Sequence, residues 1–190
     1  MRNQFFKKQL TVFAVIAFAL LLSTQSTSAE SIDLIKKGKI VAVATALNDE
    51  GDSEEFKKRL FRLTLIINEA LSALSGDIVL TNDQFGSLPN RIRLRVVPKF
   101  DRDAYIIAVE KVDDYMEIRI GGNTIEHTER AVHVFLLKYL NEDQITELET
   151  FVDRVTSKDE SEKNFPRPVF KKKKNLVFSQ QEAEIREVVK

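Results

Sequence analysis

Residues 104–140 read AYIIAVEKVDDYMEIRIGGNTIEHTERAVHVFLLKYL, and this stretch predicts much of the fold. Ala104 to Val112 is apolar and rich in β-branched residues, and Tyr115 to Ile120 alternates apolar with polar side chains, so both segments are typical of strands. Only Asp113 and Asp114 separate them, which predicts a tight antiparallel hairpin.

The same stretch ends in a helix. Gly121-Gly122 closes the second strand, and Asn123 is placed to cap a helix over Thr124 to Leu140. A further helix is predicted to begin at Asn141, with Gln144 at the capping-box position. The two helices are therefore expected to form a helical hairpin with almost no loop.

The strongest helix signal lies upstream, from Glu54 to Ser75. Asp52 with Glu55 predicts its N-terminal cap, and Gly76 stands where a left-handed residue ends a helix. Apolar residues recur at three- and four-residue spacing and form one stripe: Phe56, Leu60, Leu63, Ile67, Ala70, Leu71 and Leu74. We expect this helix to contribute more to the core than any other element.

Two further segments are predicted strands. Lys39 to Leu47 is short, apolar and β-branched, and Arg91 to Val97 alternates arginine with aliphatic residues. We read Arg91 to Val97 and the two strands of the hairpin as an antiparallel meander. The predicted fold class is α+β, with a mixed or mainly antiparallel sheet of one N-terminal strand plus a three-stranded meander. This sheet packs against one long helix and a C-terminal helical hairpin.

The chain divides into three parts by composition. Residues 1–29 have the order of a secretory signal peptide: a basic start, an uncharged apolar run from Leu10 to Leu22, and small residues before Glu30. Residues 30–156 form the predicted single α+β domain. Residues 157–190 are a charged tail with prolines and lysines, which is expected not to pack against the core.

Composition narrows the class of protein. The chain has 29 basic and 29 acidic residues, and removal of residues 1–29 leaves 26 basic residues against 29. A nucleic-acid binder normally carries a basic excess, so that class is disfavoured. The chain has no cysteine and no Asn-x-Ser/Thr sequon. The signal-peptide pattern predicts export, and these two absences favour a bacterial periplasmic or extracellular protein, with no stable transmembrane segment after processing.

Glu129 and His133 are the catalytic candidates that the sequence singles out, while pairs among its many carboxylates stay open. These two candidates are four residues apart on the predicted second helix, and a partner from another strand would complete a metal or acid–base site; an ordinary helical contact is the alternative. The order of strand, Gly121-Gly122 and a helix with a histidine is similar to the active-site helix of zinc peptidases. The chain lacks their His-Glu-x-x-His pattern, so the similarity implies an inactive relative at most. No metal ligand set and no cofactor motif is found.

Two surfaces are candidate binding sites. Arg91, Arg93 and Arg95 share one face of a strand and suit an acidic partner, unless they pair across strands with Glu110 or Glu117. The tail combines aromatic residues and prolines with positive charge: Phe165, Phe170, Phe178, Pro166, Pro168 and Lys171, Lys172, Lys173 and Lys174. It suits docking to an envelope protein or an anionic surface, unless it is a solvated tail.

These observations predict an exported non-catalytic protein, a binding or assembly module of the cell envelope. The expected partner is another envelope protein or an anionic surface, and not a nucleic acid. The alternative is an exported hydrolase with a site on the second predicted helix. Glu129 and His133 would carry that alternative, whereas the arginine strand and the tail would carry the first.

Overall fold

The computed structural model describes residues 30–47, 52–77, 88–96, 104–112, 115–157, 166–179, 182 and 184–187. The predicted signal peptide and Phe165 lie outside these residues. From Ser31 on, the chain forms one compact unit. Its elements in chain order are β1 (Ser31–Lys36), β2 (Lys39–Ile40), β3 (Ala42–Ala46), α1 (Glu54–Ser75), β4 (Asn90–Val96), β5 (Ala104–Val112), β6 (Tyr115–Gly122), α2 (Ile125–Leu137), α3 (Glu142–Thr156), β7 (Leu176–Ser179) and β8 (Glu184–Glu187).

The described strands form two sheets. A small antiparallel sheet has the order β2-β1-β7, and a larger mixed sheet has the order β3-β4-β6-β5-β8. The α+β class and the mixed sheet are confirmed, as is the β5–β6 hairpin, which pairs Val112 with Tyr115 beside its turn.

The predicted strand order of the meander is wrong. β6 lies between β4 and β5, and it runs parallel to β4. β3 is also parallel to β4, because α1 carries the chain back to the end of the sheet where β3 begins. The two-residue link fixes β5 beside β6, but residues 97–103 separate β4 from β5 and leave room for β6 to insert.

The core lies between the larger sheet and the helices. The fully buried residues of this core include Ile92 and Leu94 of β4, Ile118 of β6, Ile67 of α1 and Phe135 of α2. Successive side chains of a strand point to opposite faces, so the arginines that alternate with Ile92 and Leu94 lie on the other face of this sheet.

The ends of α1 follow from local side-chain chemistry. Its bounds match the predicted ones, and Gly76 ends it in the left-handed conformation, with φ of 72°. The N-terminal cap is Ser53 rather than Asp52: the Ser53 hydroxyl accepts a hydrogen bond from the Phe56 N–H at 3.2 Å.

The entry into α2 is tightly packed. Its cap is Thr124 rather than Asn123, and the Thr124 hydroxyl accepts from the His127 N–H. A Cβ at Gly122 would collide with the Cβ of His127, so only glycine fits where β6 meets the first turn of α2. His127 is half-buried at this junction. The predicted capping box of α3, Asn141 with Gln144, is confirmed.

A buried amide covers the free edge of β3. Asn68 of α1 donates from Nδ2 to the Ala44 carbonyl at 3.1 Å, and its Oδ1 accepts from the Ala44 N–H at 2.8 Å. Among the strands that the structure describes, β3 is the outermost on this side of the sheet, so none of them pairs with these two backbone groups. Asn68 takes the place of that strand.

The segment after α3 is not a detached tail in its described residues. β7 pairs with β1, and Phe178 is fully buried against Phe135, with ring centroids 5.6 Å apart. β8 pairs with β5 at the edge of the larger sheet. The prediction of an unpacked tail failed because the apolar run from Leu176 to Phe178 is only three residues long and follows a run of four lysines.

Among the residues described, no helix combines the length and the apolar character needed to cross a membrane.

Candidate functional site

The predicted basic strand is the centre of a charged sheet face. Arg91, Arg93 and Arg95 lie on β4, and the parallel register places Arg93 beside Arg119 of β6. We call these four residues the arginine face. Arg119 was not singled out from the sequence, although it shares the alternation of Tyr115 to Ile120 with Glu117, and the parallel pairing of β4 with β6 has no local signal.

Glu117 is the buried anion of this face. Its side chain is 4% exposed, and it accepts from Arg119 Nε at 2.9 Å and lies 3.5 Å from Arg93 Nε. Arg119 also reaches Glu110 on β5, at 2.8 Å. The cross-strand pairing that the sequence left open is therefore present, and it orients the guanidinium groups of Arg93 and Arg119.

Among the side chains that the structure describes, arginines outnumber glutamates on this face. It carries four arginines against Glu110 and Glu117, and Arg91 stacks on the ring of Tyr115, 4.8 Å from its centroid. Cation–π stacking holds a guanidinium without neutralising its charge. Beside Arg93, the Thr45 hydroxyl is buried and has no hydrogen-bond partner in the described part of the chain.

A cavity of about 220 Å³ opens on this face. Arg93, Arg95 and Arg119 supply its cationic lining, while Leu47 and Ile106 supply aliphatic surface; Glu110, Ile120 and Gly121 complete it. Leu47 is 40% exposed at the end of β3. A lining of this kind suits a ligand in which a carboxylate group is attached to an aliphatic group.

The candidate catalytic pair is engaged in other contacts. Arg59 of α1 donates to both carboxylate oxygens of Glu129, at 3.1 and 2.9 Å, and to Glu126 at 2.9 Å. His133 Nε2 lies 3.1 Å from Glu142 of α3. The hydrogen bond to Glu129 raises the pKa of Arg59, and the pKa of Glu126 is lowered by a hydrogen bond to its own backbone and by Arg59.

Glu129 and His133 thus act as links between helices. Both line one groove of about 200 Å³ between the helices, but each has its own partner. Within the described ranges, no three histidine, aspartate or glutamate side chains are grouped so that they would hold a metal ion.

The candidate residues of the C-terminal segment fall into two sets. Phe170 and Phe178 are buried, at 9% and 0% exposure, so they belong to the core and are not available to a partner. Lys171, Lys172, Lys173 and Lys174 are all exposed. The structure therefore separates the aromatic residues from the lysines that the sequence grouped with them.

Comparison of the chain with protein-family models, with curated proteins and with solved structures gave no match.

Proposed function

We propose that this chain is an exported, non-catalytic binding module of the cell envelope, and that it binds an acidic partner on the arginine face. The observation that carries the proposal is the cavity in which three arginines meet aliphatic side chains. A guanidinium donates two parallel hydrogen bonds to a carboxylate, and Glu117 already holds two of these groups in place. A partner carboxylate therefore meets preoriented donors.

The fitting partner is an acidic peptide segment with an aliphatic side chain. Leu47 and Ile106 offer apolar surface beside the arginines, and the cavity lining has three arginines against one glutamate. Glu110, 38% exposed, competes for Arg119 from within the cavity. The ligand carboxylate replaces part of that contact.

The first test is the affinity for a glutamate-rich octapeptide with one central leucine. Arg95→Gln is expected to weaken binding by about tenfold to about a hundredfold, since a hydrogen bond to a charged group contributes about 1.5–3 kcal/mol. Arg130→Gln is the matched control, because Arg130 is an exposed arginine of α2, on the helical side of the sheet. Equal effects of the two substitutions would contradict the proposal.

Glu110→Gln tests the same site in the opposite direction. Removal of this carboxylate releases Arg119 from its 2.8 Å ion pair, so the peptide is expected to bind more tightly. Weaker binding by the Glu110→Gln variant would show that the carboxylate is part of the recognition surface and would exclude an acidic ligand there.

The export part of the proposal rests on residues 1–29. The expected result is a mature protein that begins at Glu30 or within a few residues of it, because the basic, apolar and small-residue segments have the order of a cleaved signal. Intact-mass measurement of the exported protein checks this. Retention of Met1 in that form would favour an N-terminal anchor instead.

A further inference from the structure

Two lysine-rich segments that are distant in the sequence lie side by side in the fold. The Gly38 N–H donates to the Lys174 carbonyl at 2.7 Å, and the Lys37 N–H donates to Asn175 Oδ1 at 3.0 Å. These contacts join the β1–β2 turn to the segment before β7. Together they form a surface of seven exposed lysines, called the lysine surface from here on: Lys36, Lys37, Lys39 and Lys171–Lys174.

The backbone of this surface is fixed to the end of α1. The Lys173 N–H donates to the Leu74 carbonyl at 2.7 Å, and the Lys172 side chain lies against Gly76. Cations near the C-terminus of a helix interact favourably with its dipole. That effect accounts for the position of Lys172 and Lys173, but not for the lysines of the β1–β2 turn.

The placement of the turn lysines costs stability. Lys36 and Lys39 are directly paired across β1 and β2, where like charges repel. Lys37 has a φ of 53°, a left-handed conformation in which glycine or asparagine is favoured. Asp33 offsets part of the repulsion through its 2.7 Å ion pair with Lys36. A concentration of charge that the fold does not require points to a partner.

We propose that the lysine surface binds the anionic headgroups of a lipid bilayer. Clusters of four to eight basic residues at a surface have this property, and lysine acts as a point charge without directional demands. Val169, 75% exposed, and Val177, 40% exposed, flank the run and offer apolar contact. The neighbouring Phe170 and Phe178 are buried, so they are not available to stack on nucleic-acid bases. This proposal does not depend on peptide binding at the arginine face.

The test is partition of the whole chain onto vesicles of phosphatidylcholine alone and of phosphatidylcholine with one third phosphatidylglycerol. Two double variants divide the surface: Lys37→Gln with Lys39→Gln, and Lys171→Gln with Lys174→Gln. Lys57→Gln with Lys58→Gln is the matched control, because it removes two charges at the opposite end of α1, a 22-residue helix about 33 Å long. All variants have the same N-terminal segment, so its contribution to vesicle binding is the same in each of them.

Each of the two double variants is expected to weaken partition onto the anionic vesicles by about thirtyfold, because each lysine near such a surface contributes about fivefold. The control is expected to change it by less than twofold, and the difference is expected to shrink as salt rises. Equal partition onto both kinds of vesicle would overturn the proposal, as would a normal result for the Lys37 and Lys39 variant. Equally tight binding to a double-stranded oligonucleotide would overturn it in favour of polyanions in general.

Discussion

A chain that ends at Thr156 is expected to lose its cooperative unfolding transition. The deletion removes β7 from its pairing with β1, and it removes Phe178 from contact with Phe135. It also takes away the Phe170 and Lys173 N–H groups that donate to carbonyls at the end of α1. Circular dichroism during thermal unfolding measures the result, and a truncated chain that melts like the full one would contradict the account.

A point substitution isolates the largest part of this effect. Phe178→Ala is expected to lower the free energy of unfolding by about 3–5 kcal/mol, the range for truncation of a buried phenylalanine. That is a large share of the roughly 5–15 kcal/mol of a typical domain. Val177→Ala, in the same strand but at a 40% exposed position, is the control and is expected to cost less than about 1 kcal/mol. Urea titrations of both variants distinguish the buried face of β7 from its exposed face.

Asn68→Leu is expected to destabilise the protein by about 2–6 kcal/mol. The substitution leaves the Ala44 N–H and carbonyl buried without partners, and each such group costs about 1–3 kcal/mol. Lys58→Leu, at an exposed position of the same helix, is the control. A loss below about 0.5 kcal/mol for Asn68→Leu would mean that water or a shifted strand pairs these groups instead.

Asn68→Asp gives the same contact a pH dependence. The carboxylate accepts from the Ala44 N–H but has no proton to donate to the Ala44 carbonyl, and burial raises the pKa of such a group. With its folded-state pKa above the unfolded value, the introduced carboxyl destabilises the protein least at low pH, and its cost relative to the parent grows as pH rises through the folded-state value. Unfolding measured from pH 3 to pH 7 is expected to show this increasing cost in the variant.

Elements with a local signal are predictable from this sequence. The stripe from Leu60 to Leu74 and the glycine at 76 define α1 to its last residue, because helix bounds depend on neighbours three and four positions away. The Asp113-Asp114 link predicts the β5–β6 hairpin because a two-residue connection leaves the two strands as neighbours in the sequence. The buried faces of these elements follow from the same patterns.

Elements that depend on distant pairing are not predictable in this way. Nothing near Arg91 indicates that its strand pairs with β6 rather than β5, since strand order is a property of residues far apart in sequence. Only three apolar residues, Leu176 to Phe178, follow the lysine run, too few to predict that Leu176 and Phe178 complete the core. The hydrogen bond from the Gly38 N–H to the Lys174 carbonyl also joins residues far apart in the sequence, so no local pattern predicts it.

The candidate binding site was predictable in part. Alternation places Arg91, Arg93 and Arg95 on one face, but it does not show whether glutamates neutralise them. The structure pairs Arg93 and Arg119 with Glu117, and it brings Leu47, which follows β3, and Ile106 of β5 into the same cavity as the arginines. A cavity of this kind arises from four strands at once, so no single segment predicts it.

The most direct test of the proposed function is to map the glutamate-rich peptide on the protein by nuclear magnetic resonance. The peptide is titrated into the uniformly ¹⁵N-labelled chain, and the shifts of the backbone amides are followed. Saturable shifts are expected to cluster at Arg93 to Val96 of β4 and at Arg119 to Gly121 of β6. Shifts confined to the lysine surface, or to the groove that contains Glu129 and His133, would contradict the proposed function.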